Sequence, residues 1–151
     1  MASNTIHASA VLVGARAVLI RGPSGSGKSR LALELIAGAA SKLFPVVRLV
    51  GDDRVYLTAA GGRVLVAPAP QLAGLIELRG TGIMRLPYEA RAVVGLVVDL
   101  NAADADRLPE AGDITLEGVT LPRLAVPSGV AALPGLLARL TLRGSGLQER
   151  A

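Results

Sequence analysis

Cysteine and tryptophan are both absent from this chain of 151 residues. Without thiols there is no disulfide and no thiolate metal site, and a reducing compartment is the natural setting. Aromatic side chains are almost missing as well: Phe44, Tyr56 and Tyr88 are all there are. The core must therefore be aliphatic. The same shortage argues against a nucleic-acid partner, because single strands are gripped by stacking on aromatic rings. The net charge of +4 does not reverse this, since Arg16, Arg48, Arg63, Arg85, Arg107 and Arg139 are scattered along the chain rather than clustered. No apolar run approaches the roughly 18 residues of a membrane span. Residues 1–7 lack the basic stretch and apolar run of a leader peptide. No membrane association is expected, and the cytoplasm is the expected location.

What is present is 51% apolar composition and a length that suits one domain. A domain of this size buries about 70% of its unfolded surface, enough for a core without covalent staples. Residues 10–13 and 17–20 are apolar runs around the short turn Gly14-Ala15-Arg16, and they read as two strands. Leu31, Leu33, Leu35 and Ile36, among alanines, predict a helix over about 28–40. Residues 46–50 form the next apolar strand. Residues 55–57 and 64–66 flank Ala60-Gly61-Gly62-Arg63 and read as a hairpin. Residues 75–79 read as a strand with Glu77 and Arg79 on one face. A buried strand is expected over 93–100, a polar loop over 101–113, and a second hairpin around Glu117-Gly118. Leu133 to Leu142 reads as a final helix, with Pro134 tolerated in its first turn. The sum is an α/β domain over 1–151, with a central mixed sheet, flanking helices and hairpins.

The most specific signal is Gly22-Pro23-Ser24-Gly25-Ser26-Gly27-Lys28-Ser29, which matches G-x-x-x-x-G-K-[ST] between a strand and a helix. Glycines let successive backbone N–H groups turn inward and make an anion cradle. Lys28 brings a cation to the outer phosphates, and Ser29 brings a hydroxyl to Mg²⁺. The expected ligand is a nucleoside triphosphate, ATP, with Mg²⁺. Asp52-Asp53 follows an apolar strand, where carboxylates face a phosphate site. Two readings of the pair stand side by side: a metal-directed aspartate with a proton acceptor beside it, or a metal-directed Asp52 followed by a turn residue paired with Arg54. His7, Glu77, Arg79 and Arg107, taken singly, read as ordinary surface side chains.

Together and in this order, these residues resemble the catalytic domain of the HPr kinase/phosphorylase family. The resemblance runs from His7 to about Pro127. His7 stands 15 residues ahead of Gly22, Gly51-Asp52-Asp53-Arg54-Val55 carries the acidic pair, and Asp106-Arg107-Leu108 matches a later motif. Ile76-Glu77-Leu78-Arg79-Gly80-Thr81-Gly82-Ile83 fits the signature E-x-R-G-x-G-I, which separates this family from P-loop proteins in general. The resemblance implies a P-loop fold related to phosphoenolpyruvate carboxykinase. It implies ATP-dependent phosphorylation of a seryl hydroxyl of HPr, a small phosphocarrier of the phosphotransferase systems, and in several members reversal with inorganic phosphate. It implies association into hexamers. It also implies roles: Lys28 and Ser29 at the phosphates and metal, Glu77 at the metal, Asp53 as proton acceptor, and Asp52, His7, Arg79 and Arg107 around the site.

The sequence departs from the family pattern in places. The resemblance covers the family's catalytic domain without its usual N-terminal domain, so the short proteobacterial form is the one expected. Residues 37–43 look like an insertion, and residues 84–91 replace a longer flexible segment, so a loop that orders on substrate binding is expected after Gly82. Residues 125–130 carry none of the arginines that flank a Pro-Gly in the family. Two other functions fit a P-loop chain: a kinase acting on a small molecule, and a nucleotide-sensing module that transfers nothing.

Overall fold

The computed structural model describes residues 4–105 and 112–145. Eleven strands and two helices follow one another: β1 Asn4–Ile6, β2 Ala8–Val13, β3 Arg16–Arg21, α1 Lys28–Glu34, β4 Val47–Gly51, β5 Val55–Ala60, β6 Arg63–Pro68, β7 Leu75–Leu78, β8 Gly82–Arg85, β9 Ala92–Leu100, β10 Gly112–Leu116, β11 Val119–Val126 and α2 Leu133–Ser145. Nine of the strands make one mixed sheet in the order β1-β5-β6-β9-β3-β2-β4, with β11 on β9 and β10 on β11. β7 and β8 form a separate hairpin.

β3 and β9 are the centre. They run parallel, and β2 and β4 extend the sheet beyond β3. The other edge of β9 is shared: its first residues, Ala92 and Val93, pair antiparallel with β6, and its last four pair parallel with β11. A central strand buried on both faces should be continuously apolar, and Ala92–Leu100 is so except at Gly95 and Asp99. Gly95 is the extra residue of a bulge, because Ala17 pairs with Val94 and Val18 with Leu96. The bulge shifts which side chains face which side. Val94 and Val97 then pack on one face with Ala17 and Leu19, while Leu96, Val98 and Leu100 pack on the other with Val18 and Ile20. The first face is covered by the β5–β6 and β10–β11 hairpins, the second by α1 and α2. Each fully buried Leu or Ile in these layers contributes about 1.5–3 kcal/mol.

Most predicted elements are present, with three corrections. The helix expected over 28–40 is regular only to Glu34. It widens over Leu35–Ala39 into a π-type turn, in which the Ala40 N–H reaches back five residues to the Leu35 carbonyl, and Gly38 leaves helical geometry at φ 157°. The segment after Gly82 is not loop from its start, because Gly82–Arg85 pairs with Leu75–Leu78. The polar loop expected over 101–113 ends sooner, because Gly112 and Asp113 already pair with Arg123 and Pro122, and Asn4–Ile6, for which the pattern predicts no element, is a strand on the edge of β5. Both hairpins close through two-residue turns with positive φ at each position, Gly61-Gly62 and Glu117-Gly118, the geometry that matches strand twist.

Candidate active site

The carboxyl ends of β3, β4 and β9 lie along one edge of the sheet, because all three strands run the same way. The glycine loop leaves β3 there and enters α1. Gly25 and Gly27 hold φ of 81° and 98°, which L side chains rarely adopt. Gly22 is needed for closeness instead. A Cβ on it would lie 2.5 Å from the Ser26 hydroxyl and 3.0 Å from the Leu100 Cβ, so the loop rests directly on the end of β9. The Lys28 ammonium donates to the Gly22 and Pro23 carbonyls at 2.8 and 3.2 Å, folding the lysine back along the loop. The Ser26 hydroxyl is buried and has no hydrogen-bond partner among the described residues. Pro23 and Ser24 are exposed at the tip.

Asp52 sits at the end of β4 and is 3% exposed. Its carboxylate accepts from the Ser9 hydroxyl at 2.5 Å, from the Ser29 hydroxyl at 2.8 and 2.9 Å, and from the Glu77 N–H at 3.3 Å. β2, α1, β4 and β7 thus converge on one carboxylate. Asp53, next in the chain, is exposed and holds φ 70°. His7 bridges it to Arg54. The Arg54 guanidinium donates to His7 Nε2 at 3.0 Å, which leaves the ring proton on Nδ1, 3.9 Å from the Asp53 carboxylate. Arg54 therefore bonds His7, not Asp53 as one reading of the sequence expects. Arg79 reaches the loop: its Nη2 would lie 3.8 Å from a Cβ on Gly25. Glu77 comes to Asp52 through its main chain, and its side chain is exposed. Arg107 lies outside the described residues.

Behind the loop, sequence reasoning missed an ionic chain. Arg21, the last residue of β3, donates to both oxygens of Asp99 at 2.7 and 2.8 Å. Arg123 of β11 donates to the same carboxylate at 2.6 Å and to Asp104 at 2.9 and 3.2 Å. Burial alone would raise the pKa of Asp99, but hydrogen bonds and charge from Arg21 and Arg123 outweigh it, and the net shift is downward. Bonding to Asp104 and Asp99 in turn raises the pKa of Arg123. The available signal was a charged residue at the end of each of two apolar strands.

Can these residues hold a nucleotide and a divalent cation? The cradle over Gly22 to Ser29, with an unpartnered Ser26 hydroxyl inside it, suits phosphate oxygens. Ser29 and Asp52 offer hard oxygen donors side by side, with Glu77 adjoining. Among the described residues no cluster of three or more His, Asp or Glu side chains is arranged to hold a metal alone. A Mg²⁺ ion would need only one or two protein oxygens, which Ser29 and Asp52 offer, with substrate phosphates and water as its other ligands.

A glycine loop between strand and helix, lying beside a buried aspartate on a parallel strand of a mixed sheet, defines an α/β protein of the P-loop type. Comparison with known proteins narrows the class. The model of the family described as HPr Serine kinase C-terminal domain matches residues 1–129. The chain is 37% identical over 136 residues to the HPr kinase/phosphorylase of Limosilactobacillus reuteri, a match covering 82% of this chain and 40% of the relative. It is 38% identical over 136 residues to the Streptococcus thermophilus enzyme of the same name, covering 82% and 42%. The chain thus spans about two fifths of the length of these relatives. The structure of the Hpr(Ser) kinase/phosphatase from Coxiella burnetii shares the fold, with a TM-score of 0.76 at 24% identity over 98% of this chain and 99% of that one. The chain belongs to the HPr Serine kinase C-terminal domain family.

Proposed function

We propose that this chain transfers the terminal phosphoryl group of ATP to a seryl hydroxyl of an HPr-type phosphocarrier protein. The observation that carries the reading is the Asp52 carboxylate, held by Ser9 and Ser29 directly behind the glycine loop, with Asp53 exposed beside it. In the transfer, the seryl oxygen bonds to the γ-phosphorus as the bond to the β–γ bridging oxygen breaks, and the hydroxyl proton passes to Asp53. Such chemistry is mainly positioning and charge neutralisation. Lys28 leaves the Gly22 and Pro23 carbonyls to meet the phosphates, and Arg79 adds positive charge over Gly25. Arg54, through His7, orients the ring toward Asp53. Ser29 and Asp52, with Glu77 beside them, would hold Mg²⁺, which when bound would supply further neutralisation of the phosphate charge. The exposed, outward position of Asp53 suits a base that must reach a hydroxyl on another protein.

The test is transfer from labelled ATP and Mg²⁺ to HPr of the same organism, beside Asp53→Asn. Asparagine tolerates positive φ well, so this change removes the base without a backbone penalty. Wild-type protein is expected to label a serine of HPr. The variant is expected to lose about 100-fold or more in rate while retaining ATP binding. Intact ATP binding with no transfer by the wild type would sink the reading, leaving a nucleotide sensor or a small-molecule kinase.

A further inference from the structure

The sheet is split at its centre. β6 pairs with β9 as far as Val93, and β11 takes up the same edge only from Val97. Between these limits Val94, Gly95 and Leu96 pair with no strand on that side, while Val94 and Leu96 stay joined to β3 on the other. A cavity of about 540 Å³ occupies this fork. β3, β9 and β11 run the same way, so the fork lies toward their amino ends, away from the glycine loop. Its walls are mostly aliphatic, with Val18, Leu96, Leu121 and Leu140 beside the ring of Phe44. Such a volume, with apolar walls and few polar groups, is characteristic of small-molecule sites.

Two arginines line the cavity. Arg16 opens β3, and its side chain lies flat on the bulge: a Cβ on Gly95 would stand 2.8 Å from the Arg16 Cβ, 3.0 Å from its Cδ and 3.4 Å from its Cγ. A side chain at 95 would therefore push the arginine aside. Arg63 stands two residues before Leu65, the partner of Val93, so antiparallel register carries it level with Gly95. Among the described residues neither arginine has a carboxylate at ion-pair distance, whereas Arg21, Arg30, Arg48 and Arg123 all do. Glycine inside a strand weakens it and often marks a close approach. Here the glycine admits a guanidinium side chain that has no acidic partner.

We infer that the fork between β6 and β11 binds a small organic carboxylate with an apolar body, the carboxylate between Arg16 and Arg63 and the body against the aliphatic walls. A planar guanidinium matches a carboxylate through two parallel N–H donors. Inorganic phosphate would leave the apolar walls unused, and an uncharged apolar molecule would leave both guanidiniums without a partner. The site is separate from the phosphate cradle, since no residue from Gly22 to Ser29 lines it. The inference stands independently of phosphoryl transfer.

The probe is sodium hexanoate, titrated into the full chain and followed by saturation-transfer NMR of the ligand. Saturable binding is expected with half-saturation at about 1 mM, in keeping with so few non-hydrogen atoms. Arg16→Met and Arg63→Met keep the apolar stem and remove the charge, and each is expected to raise the half-saturation about tenfold. Both arginines are exposed, so neither change reaches the core. Hexanol, with the same body and no charge, is expected to bind wild type at least about tenfold more weakly than hexanoate does. Lys28→Met, which strips the cation from the glycine loop, is expected to bind hexanoate as wild type does. Absence of saturable binding, hexanol bound as well as hexanoate, unchanged affinity in either arginine variant, or loss of affinity in Lys28→Met would each overturn the assignment.

Discussion

Asp99 carries two guanidinium groups on one carboxylate, and its side chain is only 12% exposed against 27% for Arg21 and 19% for Arg123. Removing its charge leaves two cations facing a neutral amide beside the glycine loop. Asp99→Asn is expected to cost about 3 kcal/mol at neutral pH, the low end for a broken buried pair because the arginines keep some solvent. The pH dependence has a definite sign. The folded pKa of Asp99 lies below its ordinary 3.8, so its stabilisation is complete above that value. It is lost as pH falls through the folded value. Urea titrations from pH 7 downward should show wild-type stability falling through this window, and a shallower fall in Asp99→Asn. Equal slopes would show that the ionic chain is not a source of acid sensitivity. Legibility at this scale is uneven. Lys28, Ser29 and the acidic pair announce themselves by spacing, because phosphate chemistry demands fixed residues in one short loop. Ser9 gives no such sign. A serine in an apolar strand reads as a minor imperfection until the fold brings its hydroxyl to Asp52. Arg21 and Asp99 are 78 residues apart, and only strand register makes them partners.

The elements show where pattern reasoning works and where it stops. β9 is legible because burial on both faces forces a continuous apolar run, and the hairpins are legible because Gly61-Gly62 and Glu117-Gly118 suit tight turns. The premature end of α1 is not, since leucines and alanines continue in phase through Leu35 and Ile36. Only Gly38, at φ 157°, hints that the last turn widens. β8 is hidden because Gly82–Arg85 is mostly exposed and lacks a buried alternating face. α2 rests on the sheet through Leu136, which is fully buried, with Leu133, Leu137 and Leu140 packed around the same core. Leu136→Ala is expected to destabilise the protein by about 3 kcal/mol, measured by urea denaturation, through lost burial and an unfilled cavity. A loss well under 1 kcal/mol would mean that α2 adds little to the core. Because α2 also supplies Leu140 to the cavity at the fork of the sheet, its position bears on the ligand as well as on stability.

The sheet separates two aliphatic cores. One lies under α1 and α2, the other under the two hairpins, and β3 and β9 contribute side chains to both. A mixed sheet with helices and hairpins follows from the order of apolar runs and turns. The position of β9 between β3 and β6 does not, because strand order depends on pairings across long stretches of chain. Sharing these strands means that neither core can be dismantled alone. Urea unfolding is expected to follow one transition, with far-UV circular dichroism and amide signals of β5–β6 and of β10–β11 lost at a common midpoint. Separate midpoints for the two hairpins would show that the cores melt independently.

The resting of Gly22 on Leu100 also bears on how the protein is made. β3 and the glycine loop are synthesised early, but the surface on which the loop lies is the last residue of β9, nearly 80 positions later. Until that strand has emerged from the ribosome, β3 has an open edge and the loop has no floor. The part of the sequence most easily recognised thus lacks its resting surface until β9 has been made. Its assembly waits on a long-range parallel pairing, the slow kind of contact to form.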